Sequence, residues 1–407
     1  MREWKKVKLG ELYTVHNGLS KSKDFFGSGY PFLTFSNVFN NWFLPDKLDA
    51  LVESTDKDRE SFSIHKGDVF ITRTSETMDE LGMSSVALKD YPNATFNGFT
   101  KRLRPKSDDI LPEYIGYYLR SKKFRNKFLA FSSMTTRASL ANSDLLNMEV
   151  EVPVKNVQRN IANILLRYDS LIENYQKQIK LLEESAQRLY KEWFVDLRFL
   201  GYENTKIVDG VPEGWEKKQI NDICSLITSG GTPSRNNKSF WDNGNIKWVK
   251  TKELNDTWII DTEEHITETG LNNSSAKIFP PNTILMAIYA SPTLGRLGIL
   301  VHEACCNQAA LGFIPNEFVS WQWLFYKLYE LRDKFNSIAR GAGQQNISAI
   351  VVKETEIVVP EKNIIDKYTS LVTEIFNRQR TIICEIKLLI EARDRLLPKL
   401  MNGEIEV

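Results

Sequence analysis

The sequence predicts an α+β fold in which two similar globular α/β domains are separated by two long antiparallel helices. The helices are expected to form a coiled coil, and the whole to be pseudo-two-fold symmetric. Three observations support this fold class: 407 residues exceed one ordinary core, an internal repeat runs along the chain, and two heptad patterns each follow a β-rich segment. The predicted divisions are 1–153 and 201–360 for the domains, and 154–200 and 361–407 for the helices.

The internal repeat is clearest where QIKLLEESAQRL, from Gln178 to Leu189, returns as EIKLLIEARDRL, from Glu385 to Leu396, at an offset of 207 residues. Other matches keep the same order, with offsets of 207 to 215: KGDVFIT with PNTILMA, ATFNGFTKRLRP with ACCNQAALGFIP, and VEVPVKN with IVVPEKN. Small loop insertions account for the drift. Because only two units are present, the repeat indicates a tandem duplication and not a solenoid.

The front part of each half alternates short β-rich runs with turn signals. In the first half PFLTFSNV, GDVFITRT and MSSVALK are typical of strands, and LPEYIGYYLRSKKFRNKFLAF has the apolar spacing of a helix. The second half repeats this order with NIKWVKT, NTILMAIY, LGILVHE and VSWQWLFYKLYELRDKF. Each front part is therefore predicted to be an α+β domain.

The back part of each half carries apolar residues at alternating spacings of four and three, the a/d pattern of a coiled coil. The predicted seam comprises Ile161, Leu165, Ile172, Ile179, Leu182 and Leu189 in the first helix, and Val372, Ile375, Ile382, Ile386, Leu389 and Leu396 in the second. Each helix should be on the order of 50 Å long. Antiparallel pairing within one chain satisfies both seams, so that the helices form a strut between the domains.

Two questions about this seam stay open at the level of sequence. A homodimer whose helices pair between chains would satisfy the same pattern. Gln379 and Arg393 are polar at seam positions, and either set the register or contact another subunit.

Composition and motifs argue against several classes of protein. The formal net charge of +1 gives no overall support for nucleic-acid binding, and no apolar run reaches the length of a membrane span. The start, MREWKKVKLGELY, lacks the apolar region of a signal peptide, and four scattered cysteines fit a reducing cytoplasm, where we expect the chain to be. A zinc site from HEACC and Cys224 is conceivable, but ordinary buried thiols fit the spacing better.

Catalytic signatures are missing from the sequence. It contains no GxxxxGK[ST] phosphate loop, no (N/D)PP(Y/F) tetrapeptide of amino-methyltransferases, no HExxH and no GxSxG. With only four histidines and no constellation of carboxylates, the chain is interpreted as a binding protein without a catalytic, metal or cofactor site of its own.

Basic residues are concentrated locally. Between Lys101 and Arg137 there are ten basic residues against three acidic ones, with aromatic residues interleaved. Neutralising phosphates requires such a concentration of charge. The alternative is a solvated helix face above a core stripe of Tyr and Phe, which we favour for the aromatic residues.

Polar loops stand at equivalent places before the last strand of each front domain: SSMTTRASLANS (132–143) and ARGAGQQNIS (339–348). Two more, ITRTSET and VKTKEL, follow strands. Arg and Gln can bond guanine and adenine edges, although ordinary exposed loops share this composition. The candidate DNA-contacting residues are Arg73, Lys101, Arg102, Lys122, Lys123, Arg125, Thr136, Arg137, Lys250, Lys252, Arg340, Gln344 and Gln345. The loops differ between halves whose frames match, as expected of two readers with different targets.

Two long segments carry a family resemblance: VPVKNVQRNIANILLRYDSLIENYQKQIKLLEESAQRLYKEWFVDL and DGVPEGWEKKQINDICSLITSGGTPSRNN. The first has Gln158-Arg159 at its entry and Trp193-Phe194 near its end; the second has a Pro-x-Gly-Trp opening and a Gly-Gly-Thr-Pro loop. Over essentially its full length the chain resembles the DNA-specificity subunit of Type I restriction-modification systems.

The resemblance implies a non-catalytic subunit with two target-recognition domains, each reading half of a split sequence in double-stranded DNA. The helices would space the domains and dock two methyltransferase subunits, and restriction/translocase subunits would join for cleavage. S-adenosylmethionine and ATP would be bound by these partners and not by this chain. The second helical region opens with NIIDKYTSLV, without Gln-Arg, so its partner contacts are expected to differ.

Three alternatives remain. A specificity component of a system without ATP-driven cleavage would have the same sequence features. A DNA-binding structural protein without a methyltransferase partner would lack an exposed apolar stripe on the helices. An enzyme of unrecognised type would show turnover by the purified chain alone.

Overall fold

The computed structural model describes residues 4–75, 81–131, 133–134, 138–139, 141–289, 293–340 and 346–407. The strands of the first half are β1 (Lys5–Lys8), β2 (Tyr13–Asn17), β3 (Phe26–Leu33), β4 (Leu51–Val52), β5 (Val69–Thr72), β6 (Thr74–Ser75), β7 (Ser84–Val86), β8 (Thr95–Phe96), β9 (Thr100–Pro105), β10 (Ser133–Met134), β11 (Ala138–Ser139) and β12 (Glu149–Val152). Its α-helices are α1 (Leu9–Leu12), α2 (Phe35–Asn40), α3 (Asp56–Ser61), α4 (Pro112–Arg120), α5 (Lys122–Phe131), α6 (Asn142–Asn147) and α7 (Lys155–Tyr190).

The second half repeats the pattern after a π-helical turn at Lys191–Val195. Its strands are β13 (Ile207–Val208), β14 (Val211–Pro212), β15 (Glu216–Gln219), β16 (Cys224–Ser229), β17 (Ile246–Val249), β18 (Thr257–Ile259), β19 (Glu264–Ile266), β20 (Ile284–Ala287), β21 (Leu297–Leu300), β22 (Cys305–Cys306), β23 (Ala310–Pro315) and β24 (Glu356–Val359). Its α-helices are α8 (Glu268–Asn272), α9 (Trp321–Glu330), α10 (Arg332–Arg340), α11 (Ala349–Lys353) and α12 (Lys362–Met401).

The two halves have the same sheet plan. The central sheet has the order β2-β9-β5-β7 in the first half and β16-β23-β20-β21-β18 in the second. The register matches too, since Thr72 lies opposite Thr100 and Ala287 lies opposite Ala310. A smaller sheet places β3 between antiparallel β4 and parallel β8, and β17 between antiparallel β19 and parallel β22. The sequence repeat is therefore a repeat of fold.

One turn shows why the repeat tolerates sequence change. Gly67 and Asn282 stand at equivalent places before β5 and β20, with φ of 90° and 66°. Glycine adopts this left-handed region without strain, and asparagine is enriched there among the other residues. Different residues thus direct the backbone into the central strand in the same way in both halves.

The long helices α7 and α12 are shared between two compact units, Met1–Ile172 with Leu388–Val407 and Glu173–Lys387. Within the second unit, Tyr175 bonds Glu385 while Gln178 lies 3.4 Å from Arg378. Numbers rise along one helix as they fall along the other, so the pairing is antiparallel and within one chain. The predicted division into four segments stays a prediction, because each unit contains parts of both helices.

The predicted seam residues are all at least half-buried. Ile161, Leu165, Ile172, Val372 and Ile382 are buried, and the half-buried ones are Ile179, Leu182, Leu189, Ile375, Ile386, Leu389 and Leu396. Many of these side chains pack on the globular domain and not only on the other helix. Ile161 and Leu165 of α7 join the core that contains Val69 and Tyr114, and Val372 of α12 joins the core of the second unit.

The polar seam residue Arg393 has partners inside its own unit. Its Nη1 lies 2.6 Å from Oδ1 of Asp169, and its guanidinium lies 5.2 Å from the centre of the Trp42 ring. Tyr117 donates a further hydrogen bond to Asp169. At the offset of 207 residues the counterparts of this ion pair are Phe376 and Ala186, both buried. The ion pair therefore marks one end of the seam chemically, as a register device would.

Replacing Arg393 tests this role. Arg393→Ala should lower the free energy of unfolding of the first unit by about 2 kcal/mol, because it leaves a largely buried carboxylate without its charged partner. Denaturant unfolding of the purified chain measures the loss. The control is Arg395→Ala, whose side chain is 82% exposed; it should change stability by less than about 0.5 kcal/mol. Equal effects of both variants would contradict the assignment.

Candidate nucleic-acid interface

Within each domain, two polar segments that lie far apart in the sequence meet beside the central sheet. In the first domain β11 pairs antiparallel with both β10 and β6, so the loop 132–143 joins the segment after Arg73. In the second domain Tyr289 forms a bridge with Asn346, and the N–H of Ile347 donates to the carbonyl of Ile288 at 3.0 Å. Each variable loop is thus anchored at the end of an equivalent strand, β5 or β20.

Lys101 ties the loop of the first domain to the sheet. It lies opposite Ile71 on β9, and its side chain, in a residue that is 5% exposed, bonds the amide oxygen of Asn142. Burial lowers the pKa of the Lys101 amine, and the nearby charge of Arg73 lowers it further. Arg73 and Lys101 therefore come together at the base of the polar loop, as two residues of one local positive site.

The neighbouring arginines of β9 serve the fold. Arg102 is buried, donates to the carbonyl of Ser63 at 2.6 Å and lies 5.3 Å from the centre of the Phe96 ring. Arg104 makes a two-pronged contact with the buried carboxylate of Asp68, at 2.8 and 2.7 Å. A DNA contact by Arg102 stays a prediction, but little of its side chain is accessible for one.

On α5 the basic residues divide by their surroundings. Lys123 pairs with Glu151 at 2.5 Å, and Arg125 donates to the carbonyl of Leu81. Lys122 is exposed, and the described part of the chain offers it no carboxylate within ion-pair distance. The interleaved aromatic residues Tyr117, Tyr118, Phe124 and Phe128 are all buried. The prediction that these aromatic residues belong to the core is confirmed.

Lys250 and Lys252 do not occupy the place that Arg73 occupies. They follow β17, the counterpart of β3, whereas the counterpart of Arg73 in the strand register is Ile288, which is buried. Both lysines pair with Glu263, at 2.9 and 2.7 Å, and Lys250 also pairs with Glu264. Bonds to Glu264 and Glu263 raise the pKa of Lys250, so its charge is kept but largely neutralised.

Several candidates lie outside the described residues: Thr136, Arg137, Gln344, Gln345 and the side chain of Arg340, at the end of α10. Their contacts with DNA stay predictions. Gln158, in contrast, is buried at the start of α7, where it accepts from the N–H of Leu111 and donates to the carbonyls of Asp109 and Pro153.

Sequence reasoning missed one residue at this interface. Phe99 precedes β9, and its carbonyl accepts a hydrogen bond from the N–H of Arg73 at 3.0 Å. The repeat alignment already placed Phe99 opposite Ala309, and this exchange of a large apolar residue for a small one in a turn was the signal available.

The described residues offer neither a metal site nor a membrane span. No cluster of His, Cys, Asp or Glu among them could hold a metal ion, and burial raises the pKa of the Cys305 and Cys306 thiols to about 12. Within the same residues, no helix combines the length and the apolar character that crossing a bilayer requires.

Comparison with known proteins matches this duplicated architecture to one family. The model of the Type I restriction modification DNA specificity domain matches residues 1–184 and again residues 212–391. The chain belongs to this family. It is a non-catalytic specificity subunit with two recognition domains, as the resemblance implied.

Individual relatives agree over the whole length. The MjaIX specificity subunit of Methanocaldococcus jannaschii is 26% identical, covering 100% of this chain and 94% of the relative. The HindI specificity subunit of Haemophilus influenzae is 25% identical, with 100% of both chains covered. The crystal structure of a Type I S subunit from M. genitalium shares the fold, with a TM-score of 0.61, 16% identity and coverage of 98% and 96%.

The contrast between Lys122 and Lys252 can be measured as salt dependence. In the complex with its partner subunits, Lys122→Ala should reduce the slope of log K against log salt by about 0.9, the value for one lost phosphate contact. Lys252→Ala should change it less, because the charge of Lys252 is already neutralised by its ion pair with Glu263, which keeps Lys250 as its other partner in the variant. Titrations of labelled duplex at several salt concentrations give both slopes. An unchanged slope for Lys122→Ala would remove it from the interface.

Proposed function

We propose that each recognition domain reads one half of a split DNA target, with its variable loop as the reading element. The observation that carries this proposal is that one strand register presents chemically different loops at the same place in both domains. Loop 132–143 contains Thr136 and Arg137 and no glutamine, whereas loop 339–348 contains Gln344 and Gln345 beside Arg340. Arginine bonds the guanine edge and glutamine the adenine edge, so the half-sites should differ in sequence.

The anchoring of the loops supports a reading role. Base recognition requires donors held in fixed positions, and in the first domain β6, β10 and β11 give the ends of the loop a sheet to rest on. Lys101 and Arg73 add positive charge at the base of the loop. This charge attracts the phosphates of DNA at long range. The loop sequence differs between the two halves, as the sequence of a specificity element must.

We further propose that two methyltransferase subunits dock on the long helices. The repeated motif supports this, because Leu181 and Leu388, at equivalent positions 207 residues apart, are 62% and 64% exposed. Leucines standing open to water at matching positions of a duplicated helix mark two equivalent apolar contact points. One lies in each compact unit. A structural DNA-binding protein without such partners has no use for them.

Cofactors and cleavage belong to the partners in this scheme. The methyltransferase subunits bring S-adenosylmethionine and modify adenine, and restriction/translocase subunits bring ATP. The complex acts on chromosomal DNA in the cytoplasm. This division of labour accounts for a sequence without phosphate loop or methyltransferase tetrapeptide.

The proposal is tested by mapping N6-methyladenine across the genome of cells that express the chain with its methyltransferase subunit. A split motif should appear with the chain and vanish without it. Arg137→Ala should relax or abolish recognition of one half-site only, and Gln344→Ala should affect the other half-site only. Each variant is the control for the other. Loss of both half-sites in either variant would contradict separate readers.

Docking is tested independently of DNA. Leu181→Asp and Leu388→Asp should each reduce the loading of methyltransferase subunits from two to one, and the double variant should load none, because a buried unpaired carboxylate opposes association. Native mass spectrometry of the assembled complex gives the stoichiometry. Val154→Asp, at another exposed apolar position of the first unit, is the control and should keep two subunits. Full loading of the double variant would place the docking surface elsewhere.

A further inference from the structure

Phe99 is an exposed aromatic residue at the edge of the reading loop. It stands 59% exposed in the turn between β8 and β9. Single exposed apolar residues are common on protein surfaces, so exposure alone carries no functional meaning. Phe99 differs from such residues in the way its turn is built and in having alanine as its counterpart in the second domain.

The turn fixes the backbone of Phe99. The side-chain oxygen of Asn97 accepts from the N–H of Phe99 at 2.6 Å, and the carbonyl of Asn97 accepts from the N–H and the hydroxyl of Thr100 at 3.0 and 2.8 Å. A Cβ on Gly98 would approach Oγ of Ser20 to 2.3 Å. This close packing leaves the backbone little freedom, so the position from which the ring projects is set before a ligand binds and less order has to be gained on binding.

The second domain shows that the turn does not need an aromatic residue. The N–H of Ile288 donates to the carbonyl of Ala309 at 2.9 Å, just as the N–H of Arg73 donates to that of Phe99 at 3.0 Å. The same backbone thus forms around alanine in one domain and phenylalanine in the other. Folding therefore does not explain the ring.

The surroundings of Phe99 indicate the kind of ligand. Arg73 is bonded to it and leads directly into β6, which pairs with β11 of the reading loop. Strands β10, β11 and β6 form one sheet, and at about 4.8 Å between neighbouring strands it is roughly 10 Å wide. This width suits the major groove of DNA, which is about 12 Å wide, and exceeds that of the minor groove, about 6 Å. On the major-groove edges of the bases, the apolar group is the 5-methyl of thymine.

We propose that Phe99 is a specificity-determining residue of the first domain that recognises the 5-methyl group of a thymine in its half-site. The ring buries that methyl group while Arg73 and the loop bond neighbouring bases. The second domain, with Ala309, makes no such contact. This inference rests on the proposed function, because it needs the first domain to lie on DNA.

The test removes the methyl group from the DNA and the ring from the protein. The complex of the chain with its methyltransferase subunits is titrated with duplexes of the mapped target in which single thymines of either half-site are replaced by uracil. Wild type should bind about fourfold more weakly when one particular thymine of the first half-site is replaced, the effect of one buried methyl group. Phe99→Ala should bind the thymine and uracil duplexes equally, and both more weakly than wild type binds the thymine duplex.

Controls separate this inference from folding and from the proposed function. Phe99→Ala copies the residue of the second domain, and its thermal unfolding should match wild type. Phe318→Ala removes an exposed ring beyond the far end of β23 and should keep the uracil effect. Wild-type binding of the split target without any uracil effect, or an undiminished effect in Phe99→Ala, would overturn the role of Phe99 alone. Absence of chain-dependent methylation would overturn the proposed function instead.

Discussion

Each recognition domain depends on the burial of a helix that the other half of the chain supplies. Leu397 and Leu400 of α12 complete the core of the first domain, and Ala186 and Tyr190 of α7 complete that of the second. Burying each of the two leucines contributes about 1.5 to 3 kcal/mol, a large fraction of the stability of any domain. Removing either helix would therefore leave the core of the other half's domain incomplete.

The same constraint separates the constant from the variable parts of the molecule. Strand register, the turn at Gly67 or Asn282 and the packing of α4 or α9 are repeated because they build the core. The loops after β5 and β20 and before β12 and β24 differ in sequence between the halves, while strand pairings hold their described ends at equivalent places. A duplicated frame with independent loops is a physical route to two different half-sites.

Charge alone is a poor guide to the interface in this protein. Arg120 donates to four backbone carbonyls, those of Ser84, Val38, Phe39 and Asn41, and so serves the fold like Arg102 and Arg104. Buried carbonyls need donors, and arginine supplies several from one side chain. The basic run between Lys101 and Arg137 thus mixes residues that satisfy the core with residues, such as Lys122, that remain open to a phosphate.

The sequence by itself determined the duplication, the two heptad helices and the family, because periodicity and long ordered matches depend only on neighbours along the chain. It left open whether the helices pair within one chain or between two, and the contacts of Tyr175 with Glu385 and of Gln178 with Arg378 decided this. It also identified the aromatic stripe of α4 and α5 as core. Tertiary structure alone decided which basic residues bond to groups within the protein, and that Arg393 pairs with Asp169. It also decided that Ile288 and not Lys250 is the counterpart of Arg73, and that Phe99 stands beside the reading loop. These facts depend on strand register and on groups brought together from distant positions, which local sequence patterns do not encode.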